Sequence, residues 1–240
     1  MATYKIKLIR QEEVAAGTSA FYFEKPDGFQ FKAGQFLRFT LIDAPETDDE
    51  GNGRNFSIAS ALHEPELMIA TRTRDTAFKR VLRSMVPGAE IEIKGPYGRM
   101  TLHEDASLPA VILTGGIGIT PFRSIVFAAT QSGLGHRLNL FYSNRRPEDA
   151  AFLDQLSRLT KINSNLQFVP TMTASEVSAD SWQGERGHIS VDMLNRHVDN
   201  LKSAVFYIAG PASLVSAMRQ ILQEAGVKED DIRAEEFAGY

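Results

Sequence analysis

Over the first hundred residues apolar and polar positions alternate in short runs, at 4–9, 19–23, 35–41, 55–59, 66–71 and 89–94. Period-two runs of this kind bury one face of a strand and wet the other. Turn residues separate them, notably Pro26-Asp27-Gly28, Lys32-Ala33-Gly34 and Val86-Pro87-Gly88. Short strands with frequent turns predict a small antiparallel β-barrel. One stretch, 76–85, has helical spacing instead, with Phe78, Val81, Leu82 and Met85 on one face and Asp75 as its candidate N-cap.

From Ala110 onward the pattern becomes strand, glycine turn and helix, repeated. A continuous apolar run at 110–114 predicts a buried strand, and 138–142, 166–171 and 204–209 predict the strands that follow. Between them, residues 121–130, 147–159, 191–197 and 211–225 carry apolar side chains at helical intervals, and Gly226 stops the last helix. This half predicts an α/β domain with a doubly wound parallel sheet. The polar stretch 101–108 breaks both patterns, so the expected domains are 1–104 and 105–240. The acidic segment 43–53 is expected as an exposed loop.

Composition narrows the function. The 240 residues carry 26 basic and 30 acidic side chains, a net charge of −4, which gives no basic field for nucleic acid. There is no cysteine, so disulfides, thiolate metal sites, cysteine nucleophiles and a cysteine-ligated iron–sulfur cluster are excluded from this sequence. No segment reaches the ~18 uninterrupted apolar residues of a membrane helix, and the start lacks a signal-peptide core. A cytoplasmic protein without membrane or nucleic-acid partners is the expectation. The five histidines are scattered without ligand spacing, so no metal is expected.

Three constellations can carry chemistry. Thr114-Gly115-Gly116-Ile117-Gly118-Ile119-Thr120-Pro121 lies between a buried strand and a helix, where close backbone approach and unpaired helix N–H groups suit a phosphate or dinucleotide. A tight strand-to-helix turn without ligand is the other reading. It is not the usual dinucleotide fingerprint, since Pro121 replaces the third glycine and Ser143-Asn144-Arg145-Arg146 follows the second strand in place of an acidic residue. Arg145 and Arg146 fit either a ribose phosphate or a solvated turn. A second elbow, Gly210-Pro211, lies at the same sheet edge. In the barrel half, Arg54-Asn55-Phe56-Ser57, the 72–79 segment and Gly95-Pro96-Tyr97-Gly98 offer charge, aromatic face and hydroxyl, for a ligand or for plain packing.

In order and spacing these motifs resemble, across nearly the whole chain, the ferredoxin–NADP reductase superfamily of two-domain flavin reductases. Arg54-Asn55-Phe56-Ser57 is similar to its Arg-x-Tyr-Ser flavin motif, Gly95-Pro96-Tyr97-Gly98 to its Gly-Pro-x-Gly loop, and 114–121 to its nicotinamide motif. The resemblance implies an FAD-binding barrel and an NAD(P)-binding domain, with Arg54 on the flavin pyrophosphate, Phe56 stacked on the flavin, Ser57 near the ring nitrogen that accepts hydride, and Thr71, Phe78 and Gly95 also at the flavin. It places backbone N–H groups of Thr76 and Ala77 on the same pyrophosphate, which favours FAD over FMN. It puts Gly116, Gly118, Thr120, Pro121, Arg145, Gly210 and Pro211 at the nicotinamide coenzyme, and Phe237 or Tyr240 over the flavin, with Ser57, Thr120 and Tyr240 nearest the chemistry.

Two departures stand out. Ala209 replaces a cysteine many relatives carry before the Gly-Pro elbow, and Phe56 lacks a tyrosine hydroxyl. Thr171-Met172-Thr173 stands where NADPH users of the family carry Ser-Arg, which leans toward NADH, while Arg145, Arg146 and Arg186 keep NADPH open. The function implied is an FAD-dependent NAD(P)H oxidoreductase passing electrons to a separate acceptor, such as ferredoxin, flavodoxin or an oxygenase component. The alternatives are a free-flavin or ferric reductase, or a flavin-binding carrier subunit or sensor.

Overall fold

A computed structural model describes residues 2–174 and 182–237. Six strands form the first sheet: β1 (Thr3–Ala15), β2 (Thr18–Glu24), β3 (Phe36–Leu41), β4 (Gly53–Ser57), β5 (Glu66–Arg72) and β6 (Glu90–Tyr97), with helix α1 (Ala77–Ser84) between β5 and β6. All neighbours are antiparallel, in the order β4-β3-β6-β1-β2-β5. Past β4 the chain crosses to β5, the other edge: Ala59 N–H donates to the Met68 carbonyl at 2.8 Å, and Met68 N–H to Ser60 Oγ at 2.9 Å. The sheet therefore curls toward a barrel around Phe21, Phe23, Phe39, Ile58 and Ile93, all 0% exposed.

The second sheet contains β7 (Ala110–Gly115), β8 (Leu138–Asn144), β9 (Leu166–Met172), β10 (Glu185–Arg186), β11 (Val205–Gly210) and β12 (Ile232–Glu236). They are parallel, in the order β10-β9-β8-β7-β11-β12. Helices α2 (Ile119–Gln131), α3 (Leu153–Leu159), α4 (Val191–His197) and α5 (Ala212–Glu224) complete this half. Strand order runs outward from β7 on one side and from β11 on the other. The turns following these two strands thus meet at the topological switch point, where open α/β sheets bind ligands.

Two sequence expectations need correction. Thr76, not Asp75, caps α1, its side chain accepting Lys79 N–H, while Asp75 pairs with Arg80 at 2.6 Å. The helix expected over 147–159 is only α3, because Phe152 takes a left-handed backbone (φ 62°) that no continuous helix allows. The short strands β10 and β12 carry too little apolar alternation to be seen in the sequence.

The two sheets share buried surface. Tyr22, Met68, Ala70 and Met100 join Phe122, Ile125 and Ala151 in one apolar cluster. Burying a residue such as Phe122, 0% exposed, contributes about 1.5–3 kcal/mol. Main-chain and side-chain bonds add direction: Ala16 N–H reaches the Glu148 carbonyl at 2.8 Å, and Arg233 the Thr101 carbonyl at 2.7 Å. Among the described residues no helix is long and apolar enough to cross a membrane.

Candidate active site

A cavity of about 660 Å³ opens between the two sheets. β4 contributes Arg54, Asn55, Phe56 and Ser57, the end of β5 Thr71, and the cap of α1 Thr76. From the parallel sheet come Thr120 in the first turn of α2 and Phe237 just past β12. Eight residues singled out from sequence, spread over some 180 positions of chain, therefore converge on one wall-lined space. Phe237 is held there by its N–H, which donates to the Gly210 carbonyl at 3.0 Å.

The other candidates shape the cavity or lie outside it. Ala77 and Phe78 are buried, the Phe78 ring packing 5.7 Å from that of Phe56, which in turn sits 5.7 Å from Phe39. Phe56 is thus braced by two aromatics. Gly95 precedes Pro96 in a cis peptide. Gly116, Gly118, Pro121, Gly210 and Pro211 build the two elbows and do not line the cavity. Arg145 is exposed past the end of β8, away from the cavity wall, and Arg146 pairs with Glu148 and Asp149, each at 3.3 Å. Tyr240 lies outside the described residues. Ala209 is fully buried beneath the elbow, its carbonyl accepting the Thr114 hydroxyl at 2.8 Å.

The glycine elbow has a packing reason of its own. Gly116 takes φ 55°, and its carbonyl accepts the Tyr142 hydroxyl at 3.0 Å. A β-carbon at Gly118 would lie 2.3 Å from the Ala209 carbonyl oxygen and 2.8 Å from Gly210 Cα. Gly118 is therefore required where the two elbows touch, a packing reason that stands beside the expected approach of a coenzyme. The elbow in turn points Ile117 and Thr120 at the cavity, with the Thr120 hydroxyl donating to the Ile117 carbonyl at 3.0 Å.

Sequence reasoning missed Phe36, Glu50 and Ala70 as wall residues, and it reached Arg72, Lys79 and Ile117 only as members of longer motifs. Strand register exposes some of them: Phe36 lies directly opposite Ser57 and against Tyr97, with ring centroids 5.6 Å apart. Glu235 and Glu236 arrive only because β12 extends the parallel sheet beside Ala209 and Gly210.

The cavity is electrostatically divided. On the barrel side burial lowers the Lys79 pKa, and the nearby Arg74, Arg54 and Arg72 lower it further. These cations repel one another beside the N-terminus of an eight-residue helix, a donor set suited to an anion. On the opposite side burial raises the carboxyl pKa of Glu235.

Arg54 itself is turned toward its own loop. Its Nη1 donates to the carbonyls of Gly51 and Gly53 at 2.9 Å, its Nε meets Glu50 at 2.9 Å, and its Nη2 bonds Asp48. The hydrogen bond and charge of Arg54 hold Asp48 below the usual carboxylate range, and Asp48 Oδ1 also accepts Glu50 N–H at 3.1 Å. Two acidic side chains of the 43–53 loop thus occupy donors that the resemblance assigns to a pyrophosphate.

Known proteins resemble this chain in sequence and in fold. Residues 112–220 match the model of an oxidoreductase NAD-binding domain. The chain is 27% identical over 219 residues to the reductase component of propane 2-monooxygenase from Rhodococcus jostii (strain RHA1), covering 89% of this chain and 57% of that protein. It is 27% identical over 244 residues to ferredoxin–NADP reductase B of Sorangium cellulosum (strain So ce56), covering 98% and 97%. A ferredoxin NADP+ reductase from Neisseria gonorrhoeae with bound FAD and NADP superposes with a TM-score of 0.80 at 22% identity, covering 98% of both chains, which establishes the fold. The chain spans about three fifths of the length of the propane monooxygenase reductase components it matches.

Proposed function

We propose that the chain belongs to the ferredoxin–NADP reductase superfamily and is an FAD-dependent NAD(P)H oxidoreductase serving a separate electron acceptor. One observation carries this reading: a single cavity collects the barrel strand Arg54–Ser57, the start of α1, and the glycine elbow of the parallel sheet. Residues 1–104 would hold FAD and 105–240 the nicotinamide coenzyme.

The donor set fits FAD. Arg54, Arg72 and Lys79, together with the N-terminal N–H groups of α1, suit its pyrophosphate, and Phe56 offers a braced face to a flat ring system. Bound FAD supplies hydride acceptance and the onward release of electrons. The residues of the chain bind, orient and exclude water. Ser57 places a hydroxyl at the β4 end of the cavity, Thr120 and Ile117 present the α2 side to a nicotinamide, and Phe237 covers the opening from β12. Orientation of two reactants in one site can contribute about 7–11 kcal/mol to lowering a barrier.

NADH is favoured as coenzyme. Thr171, at the position of interest, spends its hydroxyl on the Gly187 carbonyl at 2.7 Å, and the Arg186 guanidinium donates to the Trp182 carbonyl at 2.9 Å. Acceptors of the kinds named for its relatives, an oxygenase component or a ferredoxin, suit this chain, which carries no cysteine for a cluster of its own. Reduction of free flavin is a second reading, favoured by the hold of Asp48 and Glu50 on Arg54. Anaerobic stopped-flow mixing of the FAD-loaded protein with NADH and with NADPH tests both. Bleaching of a protein-bound flavin band, faster with NADH, is expected. A protein that retains no FAD yet oxidises NADH with added flavin would establish the second reading.

A further inference from the structure

One guanidinium joins the strand side of the cavity to the elbow side. Arg123, on α2 and three residues past Thr120, is 4% exposed. Its Nη1 donates to the Ala59 carbonyl at 2.9 Å and to Glu64 Oε2 at 2.8 Å. Its Nη2 donates to Glu64 Oε1 at 3.0 Å and to Gln155 Oε1 at 3.0 Å, and its Nε to Gln155 Oε1 at 3.1 Å. All five donors of the fork are used, on three residues from two separate pieces of chain. The neighbouring Ser124 hydroxyl donates to the Ser60 carbonyl at 2.7 Å, parallel to this clamp.

The surroundings hold the fork in place. Phe127 lies 4.0 Å from the guanidinium carbon, and Phe152, whose left-handed backbone swings its ring inward, 5.2 Å from it. Glu64 is fixed in turn, its Oε2 accepting Ala61 N–H at 2.6 Å while Lys25 bonds the carbonyls of Leu62 and Glu64. Burial disfavours the Glu64 carboxylate, yet Arg123 and the Ala61 N–H outweigh it and keep the group ionised below its ordinary range. The clamped loop follows β4, whose Ser57 lines the cavity two residues before Ala59.

We propose that Arg123 is a positioning residue for hydride transfer, setting the separation between the flavin strand and the nicotinamide elbow by clamping the 59–64 loop to α2 and α3. The proposal rests on the reading that both cofactors meet in this cavity. Lysine keeps the charge but cannot serve three partners from one plane. Glutamine at 64 keeps the shape but gives up the charge-assisted fork.

The test compares the FAD-loaded full chain with Arg123→Lys and Glu64→Gln in anaerobic stopped flow, over a range of the coenzyme that reduces the parent. This separates the limiting rate of flavin reduction from the coenzyme dissociation constant. Coenzyme deuterated at the transferred hydrogen is run in parallel. Expected is a ten- to hundred-fold lower limiting rate, about the cost of a misplacement near 1 Å, with full FAD occupancy, a dissociation constant within about twofold of the parent, and an isotope effect no smaller than the parent's. A limiting rate within about twofold of the parent in either variant overturns the proposal. So does a loss of rate that only follows loss of bound FAD, which marks a purely structural clamp. If Arg123→Lys does not fold, Glu64→Gln decides alone. A parent that neither coenzyme reduces would sink the oxidoreductase reading instead.

Discussion

Gly118→Ala separates two accounts of the glycine elbow. The added methyl would sit 2.3 Å from the Ala209 oxygen, 2.7 Å from its carbonyl carbon and 2.8 Å from Gly210 Cα, all main-chain atoms of a central strand that is fully buried. No rotamer relieves such a contact, so the elbow must retreat by roughly 1 Å, at an overpacking cost of about 1–3 kcal/mol. For a chain of this size each kcal/mol lowers Tm by about 2–4 °C, giving a fall of roughly 2–12 °C. The same retreat carries Ile117 and Thr120 out of register with β4, and about a hundredfold loss in flavin reduction follows. Thermal melting of the FAD-loaded variant reads the first effect and anaerobic stopped flow the second. An unchanged Tm with only a weakened coenzyme dissociation constant would refute the packing account, because it would mean the missing side chain serves the ligand alone.

Three further outcomes follow from the cavity. Asp48→Asn and Glu50→Gln free Arg54 from its loop, so FAD should bind more tightly at low salt, with the gain shrinking as ionic strength rises; flavin fluorescence titration showing weaker binding in both variants would contradict the competition. Burial raises the folded pKa of Glu235, so its contribution to stability is complete below the unfolded pKa and is lost as pH rises through the folded value. Glu235→Gln should flatten the corresponding fall of Tm with rising pH, and a fall as steep as the parent's would remove Glu235 as its cause. Phe237→Ala uncovers the β12 side of the cavity and should lower the coenzyme dissociation constant; an unchanged value would make Phe237 a wall and not a cover.

What could be read from sequence was whatever local periodicity encodes. The alternating runs became β1 to β6 and the glycine-punctuated half became the parallel sheet, because burial of one strand face or one helix stripe writes itself into neighbouring residues. The same holds for Arg54–Ser57 and Thr120, whose motifs are contiguous. Residues 232–236, by contrast, form β12 through main-chain bonds to β11, for which Ile232-Arg233-Ala234-Glu235-Glu236 needs no alternating pattern. Asp48 and Glu50 looked like a solvated acidic loop, and only the fold shows them bonded to Arg54. Arg123 is a single charge within the helical run 121–130; its partners Glu64 and Gln155 stand 59 and 32 residues away, on elements whose meeting no local pattern announces. The sequence thus shows most clearly the groups expected to touch a cofactor, which sit in short motifs. It hides the groups that hold those motifs at a fixed separation, and in a two-sheet site that separation decides whether the motifs can act together.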